Sequence, residues 1–131
     1  MTIGNEAGAR RLVRFDGMPS AKGITDIDAV TDYGGEAWLV FEVKGKGVEL
    51  TEGQRILAEH FVEMARDSGR FAVFAVVEHG VRDCSKDVML SRCRVRSVYE
   101  SRTLSWRPPA EPMDAKELHR RFVNRMTGSK T

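Results

Sequence analysis

Hydrophobic residues along the chain change their spacing several times, and each change marks a boundary between elements. From Ile24 to Tyr33, Ile27 and Ala29 fall on one side and Asp26, Asp28, Val30 and Asp32 on the other, the period-two pattern of a strand. Gly34 and Gly35 follow, and both accept the positive φ of a tight hairpin. The return strand, Ala37 to Lys44, sets Leu39, Phe41 and Val43 against Val40, Glu42 and Lys44. Apolar residues on both faces make it an interior strand rather than an edge. Beyond Gly45 and Gly47 the period becomes helical. Thr51 and Gln54 form a capping-box pattern, Ile56, Leu57, Phe61, Met64 and Ala65 mark one face, and Gly69 ends the helix. Phe71 to Val77 is apolar on both faces, as a buried strand should be. Strand, helix and buried strand predict a right-handed βαβ crossover with its two strands parallel.

The flanks are less regular. Gly4 to Phe15 reads as a short, weakly amphipathic helix. Val88 to Tyr99 reads as a further strand, with Arg92, Arg94 and Arg96 on one face and Cys93 and Val95 on the other. Pro108, Pro109 and Pro112 make a stiff linker, after which Asp114 with Glu117 caps a last helix, Ala115 to Met126. The pattern as a whole predicts an α/β fold, a mixed central sheet flanked by helices.

Length and composition narrow the class. A chain of 131 residues fits one domain, here 1–131, with a core at about 23–77 and a basic strand and C-terminal helix over 88–126. The longest apolar run is far short of the roughly 18 residues that cross a bilayer, so no membrane partner is expected. Residues 1–20 lack a secretory pattern, and two cysteines, Cys84 and Cys93, suit a reducing compartment; a soluble cytoplasmic protein is the expectation. The net charge of +2 hides a split: residues 1–65 sum to −4 and residues 66–131 to +6. Such a split suits an anionic site joined to a surface that tolerates polyanions, although two interleaved halves would cancel it.

The hairpin concentrates the chemistry. Side-chain alternation puts Glu42 and Lys44 on one face, and an even register brings that face beside Asp26 and Asp28. Carboxylates that converge across two strands repel unless a cation neutralises them, and such oxygens with room for water are what Mg²⁺ prefers. A lysine two residues beyond the glutamate adds a charge able to orient an attacking water. Phosphodiester hydrolysis is the chemistry this set suits. Solvated strand aspartates with a surface Glu–Lys pair is the plainer reading of the same residues.

Thr25-Asp26, fifteen residues, then Glu42-Val43-Lys44 resembles the PD-(D/E)XK nuclease superfamily, the restriction-endonuclease-like fold. Gly23-Ile24-Thr25-Asp26 is similar to the approach to the metal aspartate in Holliday-junction resolvases and RecB-type nucleases. Val40 to Lys44 resembles their strand ending in E-x-K, and Leu50 to Gln54 the helix carrying a glutamine. The resemblance covers about residues 23–77 and implies an αβββαβ core, of which the first strand has no counterpart in the pattern. It implies that Asp26, Glu42 and the Val43 carbonyl hold Mg²⁺ or Mn²⁺, with Asp28 a second ligand or the main one in a shifted register. Lys44 would position or activate water and Gln54 would face that water or a phosphate, while Glu6 is the one candidate for an added N-terminal ligand. Thr25 replaces the proline of the family name, and Ala58 stands where RecB-type members carry tyrosine.

Lys46, Arg92, Arg94 and Arg96 are the candidate nucleic-acid contacts, because neutralising phosphates supplies most non-specific affinity. His79, Cys84 and Cys93, with His60 or His119, match no compact zinc spacing. Gly45, Lys46 and Gly47 are too few for a Walker-type loop. The resulting expectation is a divalent-metal-dependent nuclease, an endonuclease acting on DNA, paired as a homodimer so that two sites meet two strands. The alternatives are a nucleic-acid-binding module of the same fold that has lost turnover, and a protein-interaction domain.

Overall fold

The computed structural model describes residues 27–80 and 88–128. The Gly4–Phe15 helix, Glu6, Asp26 and Cys84 lie outside the described residues.

Strand β1 (Ala29–Tyr33) and strand β2 (Ala37–Gly45) form an antiparallel hairpin in which Ala29 faces Phe41 and Tyr33 faces Ala37. The turn has both glycines at positive φ, +60° and +75°. Asp32 accepts from the Gly35 N–H at 2.7 Å, and the Glu36 N–H donates to the Tyr33 carbonyl at 3.0 Å. Helix α1 (Glu52–Asp67) carries the expected capping box at Thr51 and Gln54. It ends in a Schellman motif: Gly69 sits at φ +79°, its N–H donates to Arg66 and that of Arg70 to Ala65. Strand β3 (Phe71–His79) then runs parallel to β2, Ala37 facing Phe71 and Gly45 facing His79.

The next segment differs from its sequence pattern. Leu90–Arg92 is a 3₁₀ turn, and strand β4 begins only at Arg94 and runs to Glu100 (Arg94–Glu100). It pairs antiparallel with β3, and between Val77↔Val95 and Val76↔Ser97 the register shifts by one, leaving Arg96 as the bulged residue. Arg92, Arg94 and Arg96 therefore do not form one row along a strand. A two-residue strand β5 (Trp106–Arg107) pairs with Val98 and Tyr99, and helix α2 (Ala115–Met126) follows with Asp114 as its N-cap.

The sheet is mixed, in the order β1-β2-β3-β4-β5. Alternation divides its side chains between two cores. Val40, Ala72, Phe74 and Tyr99 pack with Ala58, Val62 and Ala65 of α1, while Leu39, Phe41, Val73, Ala75, Val77 and Val95 pack with Ala115 and Phe122 of α2. The two helices thus cover opposite faces, and even-numbered residues of β2 and β3 look toward α1. Burial of these side chains contributes roughly 1.5–3 kcal/mol for each fully enclosed Val, Leu or Phe. Among the described residues no helix is long and apolar enough to cross a membrane.

Candidate functional site

Glu42 is the one charged side chain buried among the described residues, only 4% exposed. Its position follows from the topology: β2 lies between β1 and β3, and Glu42 is on the face that α1 covers. Burying a carboxylate is costly unless partners compensate it. Gln54 Nε2 donates to Glu42 Oε2 at 3.3 Å, and Lys44 Nζ lies 3.7 Å from the same oxygen. Lys44 is two residues along β2, hence on the same face, with its side chain 14% exposed.

The Gln54 side chain performs two tasks. Its Oε1 accepts from the Thr51 N–H at 3.0 Å while Thr51 Oγ1 accepts from the Gln54 N–H at 3.1 Å, which closes the cap. The amide nitrogen left over is the group that reaches Glu42. The helix-capping reading of this residue is met, and the same side chain also reaches Glu42.

Asp28 stands just before β1, whose first residue is Ala29, while Ile24 to Asp26 of the expected strand lie outside the described residues. In the hairpin register the residue opposite Glu42 would be Asp28, and opposite Val43, residue 27. The ladder does not continue that far, and the Val43 N–H donates to Asp28 Oδ2 at 2.7 Å. Because N–H and C=O of one strand residue point to the same neighbour, the Val43 carbonyl looks toward the same end of the hairpin. Glu42 and Val43 of β2, and Asp28 held on the Val43 N–H, thus stand at the C-terminal end of the parallel pair β2/β3, where ligands of open α/β sheets gather. Among the described residues no three His, Cys, Asp or Glu side chains group as a cation cage. Two carboxylates and a carbonyl at one end of a strand pair are of the hard-oxygen type that Mg²⁺ and Mn²⁺ accept.

Comparison with family models, with curated proteins and with solved structures finds no match to this chain.

A second cluster holds the chain that leaves Lys44. The guanidinium of the bulged Arg96 donates to the carbonyls of Val48 at 2.6 Å and Gly45 at 3.3 Å, and its Nε and Nη2 contact Glu78 Oε1 at 3.0 and 2.9 Å. Arg96 is thereby committed to the turn after β2. Lys46, Arg92 and Arg94 are exposed at the same end of the sheet, Lys46 tied through its backbone N–H to the His79 carbonyl at 3.0 Å.

The two tryptophans are structural. Trp38 meets the Phe61 ring edge-on, and Trp106 packs on Tyr99 and Phe74 while its indole N–H donates to Glu59 at 2.8 Å. Burial alone would raise the Glu59 carboxyl, but hydrogen bonds from Trp106 and Arg55 hold it below its ordinary value. The single described cysteine, Cys93, is buried, and burial pushes its thiol up, away from nucleophilic chemistry.

Proposed function

We propose that the chain is a divalent-metal-dependent nuclease that hydrolyses DNA phosphodiesters, with the restriction-endonuclease-like core that the D…ExK pattern resembles. The observation that carries this reading is the buried Glu42, contacted by Lys44 and Gln54 at the open end of two parallel strands. A purely structural surface pair would not require a carboxylate in the sheet interior, under a helix whose cap residue donates to it. The β-hairpin, helix and parallel strand that deliver these groups also follow the order that the resemblance implies.

Glu42, Asp28 and the Val43 carbonyl would hold Mg²⁺ or Mn²⁺, with Asp26 the other candidate carboxylate. The chemistry such an ion supplies is polarisation of a phosphoryl oxygen and a lowered pKa for water. Lys44 donates to the oxygen of the attacking water and sets a positive charge beside the negative charge that builds on the phosphoryl oxygens. Gln54 fixes Glu42 and, through its cap, ties that carboxylate to the start of α1. Water adds across the P–O bond, leaving a phosphomonoester and a hydroxyl. A homodimer would present two such sites to the two strands of a duplex.

The test is incubation of the protein with plasmid and branched DNA, with Mn²⁺ and with chelator. Cleavage that needs the metal supports the reading; binding without cleavage in either condition would point instead to a module that has lost turnover.

A further inference from the structure

A cleft of about 440 Å³ opens beside the candidate site, lined among others by Lys46, Glu78, His79, Arg92 and Arg94. Its three cations come from three different segments: the exit of β2, the 3₁₀ turn and the first residue of β4. Arg94 faces Glu78 across the sheet, and Lys44 faces Glu78 on its other side, so the cleft adjoins the strand ends that carry Glu42 and Lys44. Glu78 is the acid in the lining, and its Oε1 already carries two contacts from Arg96. Among the described residues, neither Lys46, Arg92 nor Arg94 pairs with an acid through its side chain.

Three cations without a side-chain acid partner among the described residues, lining one concavity, raise the local potential for anions more than the same charges spread over a convex surface would. The shape is a cleft rather than a flat face, and the guanidinium groups match phosphate oxygens. A strand with one phosphate at Glu42 and Lys44 has further phosphates to place, and Lys46 is only two residues beyond Lys44.

We propose that this cleft is a second phosphate subsite, which holds an uncut phosphodiester of the nucleic-acid strand engaged at Glu42 and Lys44. The choice of ligand rests on the nuclease reading. Arg96 is outside the subsite, since its guanidinium holds the Gly45–Val48 turn and Glu78.

The experiment is binding of a short fluorescent DNA duplex across a range of salt concentrations, with EDTA present so that no cleavage intervenes. Lys46→Ala, Arg92→Ala and Arg94→Ala should each weaken binding and flatten the plot of log K against log salt by about 0.9, one phosphate contact apiece. Arg94→Lys should keep the slope, and Lys116→Ala, on exposed α2, should match the parent. Unchanged slopes in the three alanine variants would overturn the proposal. So would a melting temperature raised by pyrophosphate and lost in Arg92→Ala with DNA binding unaffected, which would assign the cleft to a small phosphate compound. Slopes that depend on the three cations without metal-dependent cleavage would remove the nuclease reading and keep the subsite.

Discussion

The amide nitrogen of Gln54 donates to the carboxylate of Glu42 at 3.3 Å, while the carbonyl oxygen of the same side chain caps the Thr51 N–H. Helix α1 is thus fastened to the buried carboxylate through its own N-terminal cap. Gln54→Glu separates the two tasks. Glutamate retains the acceptor that the capping box needs but presents a second carboxylate to Glu42. The variant should keep α1 capped yet lose cleavage, whereas Thr51→Ala should cost about 1 kcal/mol of stability with a smaller loss of activity. Urea denaturation paired with cleavage rates checks both; equal activity in Gln54→Glu and the parent would refute the site role.

Asp28 accepts from the Val43 N–H, and an asparagine side-chain oxygen can do the same. Asp28→Asn should therefore fold normally and weaken Mn²⁺ binding at least about 10-fold, the scale of a disturbed metal shell. Calorimetric titration with Mn²⁺ reads this directly. Unchanged affinity would exclude Asp28 as a ligand and leave Asp26 as the aspartate to test.

Arg96 contacts two carbonyls and Glu78, all around the turn that follows Lys44. Arg96→Met keeps much of the stem and removes those donors, leaving Glu78 without its guanidinium. A loss of about 1–3 kcal/mol is expected, with faster hydrogen exchange at the Val48 N–H, which donates to Gly45 at 3.0 Å. Exchange no faster than in the parent would show that the turn stands without Arg96.

Tyr99 and Glu117 each make stability depend on pH, at opposite ends of the range. Burial first, and then the hydrogen bond to Glu63 at 2.9 Å, push the Tyr99 phenol up to about 12. The folded state keeps its proton longer than the unfolded chain, so this stabilisation is complete below about pH 10 and disappears as pH rises through about 12. Tyr99→Phe should flatten that alkaline decline. At the other end, hydrogen bonds from Arg120 and then Arg121 lower Glu117 to about 2. That contribution is present above about 4.5 and is lost as pH falls toward about 2, so Glu117→Gln should flatten the acid limb. Urea midpoints measured across pH decide both; limbs as steep in the variants as in the parent would contradict the assignments.

Much of this arrangement is legible in the sequence, for reasons that differ by element. Period-two alternation puts Glu42 and Lys44 on one face, and Thr51 and Gln54 announce the helix start that the structure has. The last helix, Ala115–Met126, begins and ends where its cap and apolar spacing place it. Local signals fail where tertiary contacts decide. Val88 and Leu90 suit a strand, yet a 3₁₀ turn intervenes before β4. No sequence feature marks the bulge at Arg96, whose guanidinium clamps the carbonyls of Gly45 and Val48. Strand β5 was hidden as well, since its two residues pair only after the chain reverses through Leu104, a non-glycine residue at φ +48°. The early end of the β1 ladder, which frees the Asp28 side chain to take the Val43 N–H, is likewise a property of the folded hairpin.

In the proposed nuclease, Glu42 and Lys44 act together in metal-dependent hydrolysis of DNA. Single-turnover cleavage of a plasmid with Mn²⁺ tests it most directly, comparing the parent with Lys44→Ala and Glu42→Gln after confirming that both variants are folded. Metal-dependent cleavage is expected in the parent, with a loss of at least about 100-fold in each variant. Cleavage that survives chelation, or that persists undiminished in Lys44→Ala, would contradict it.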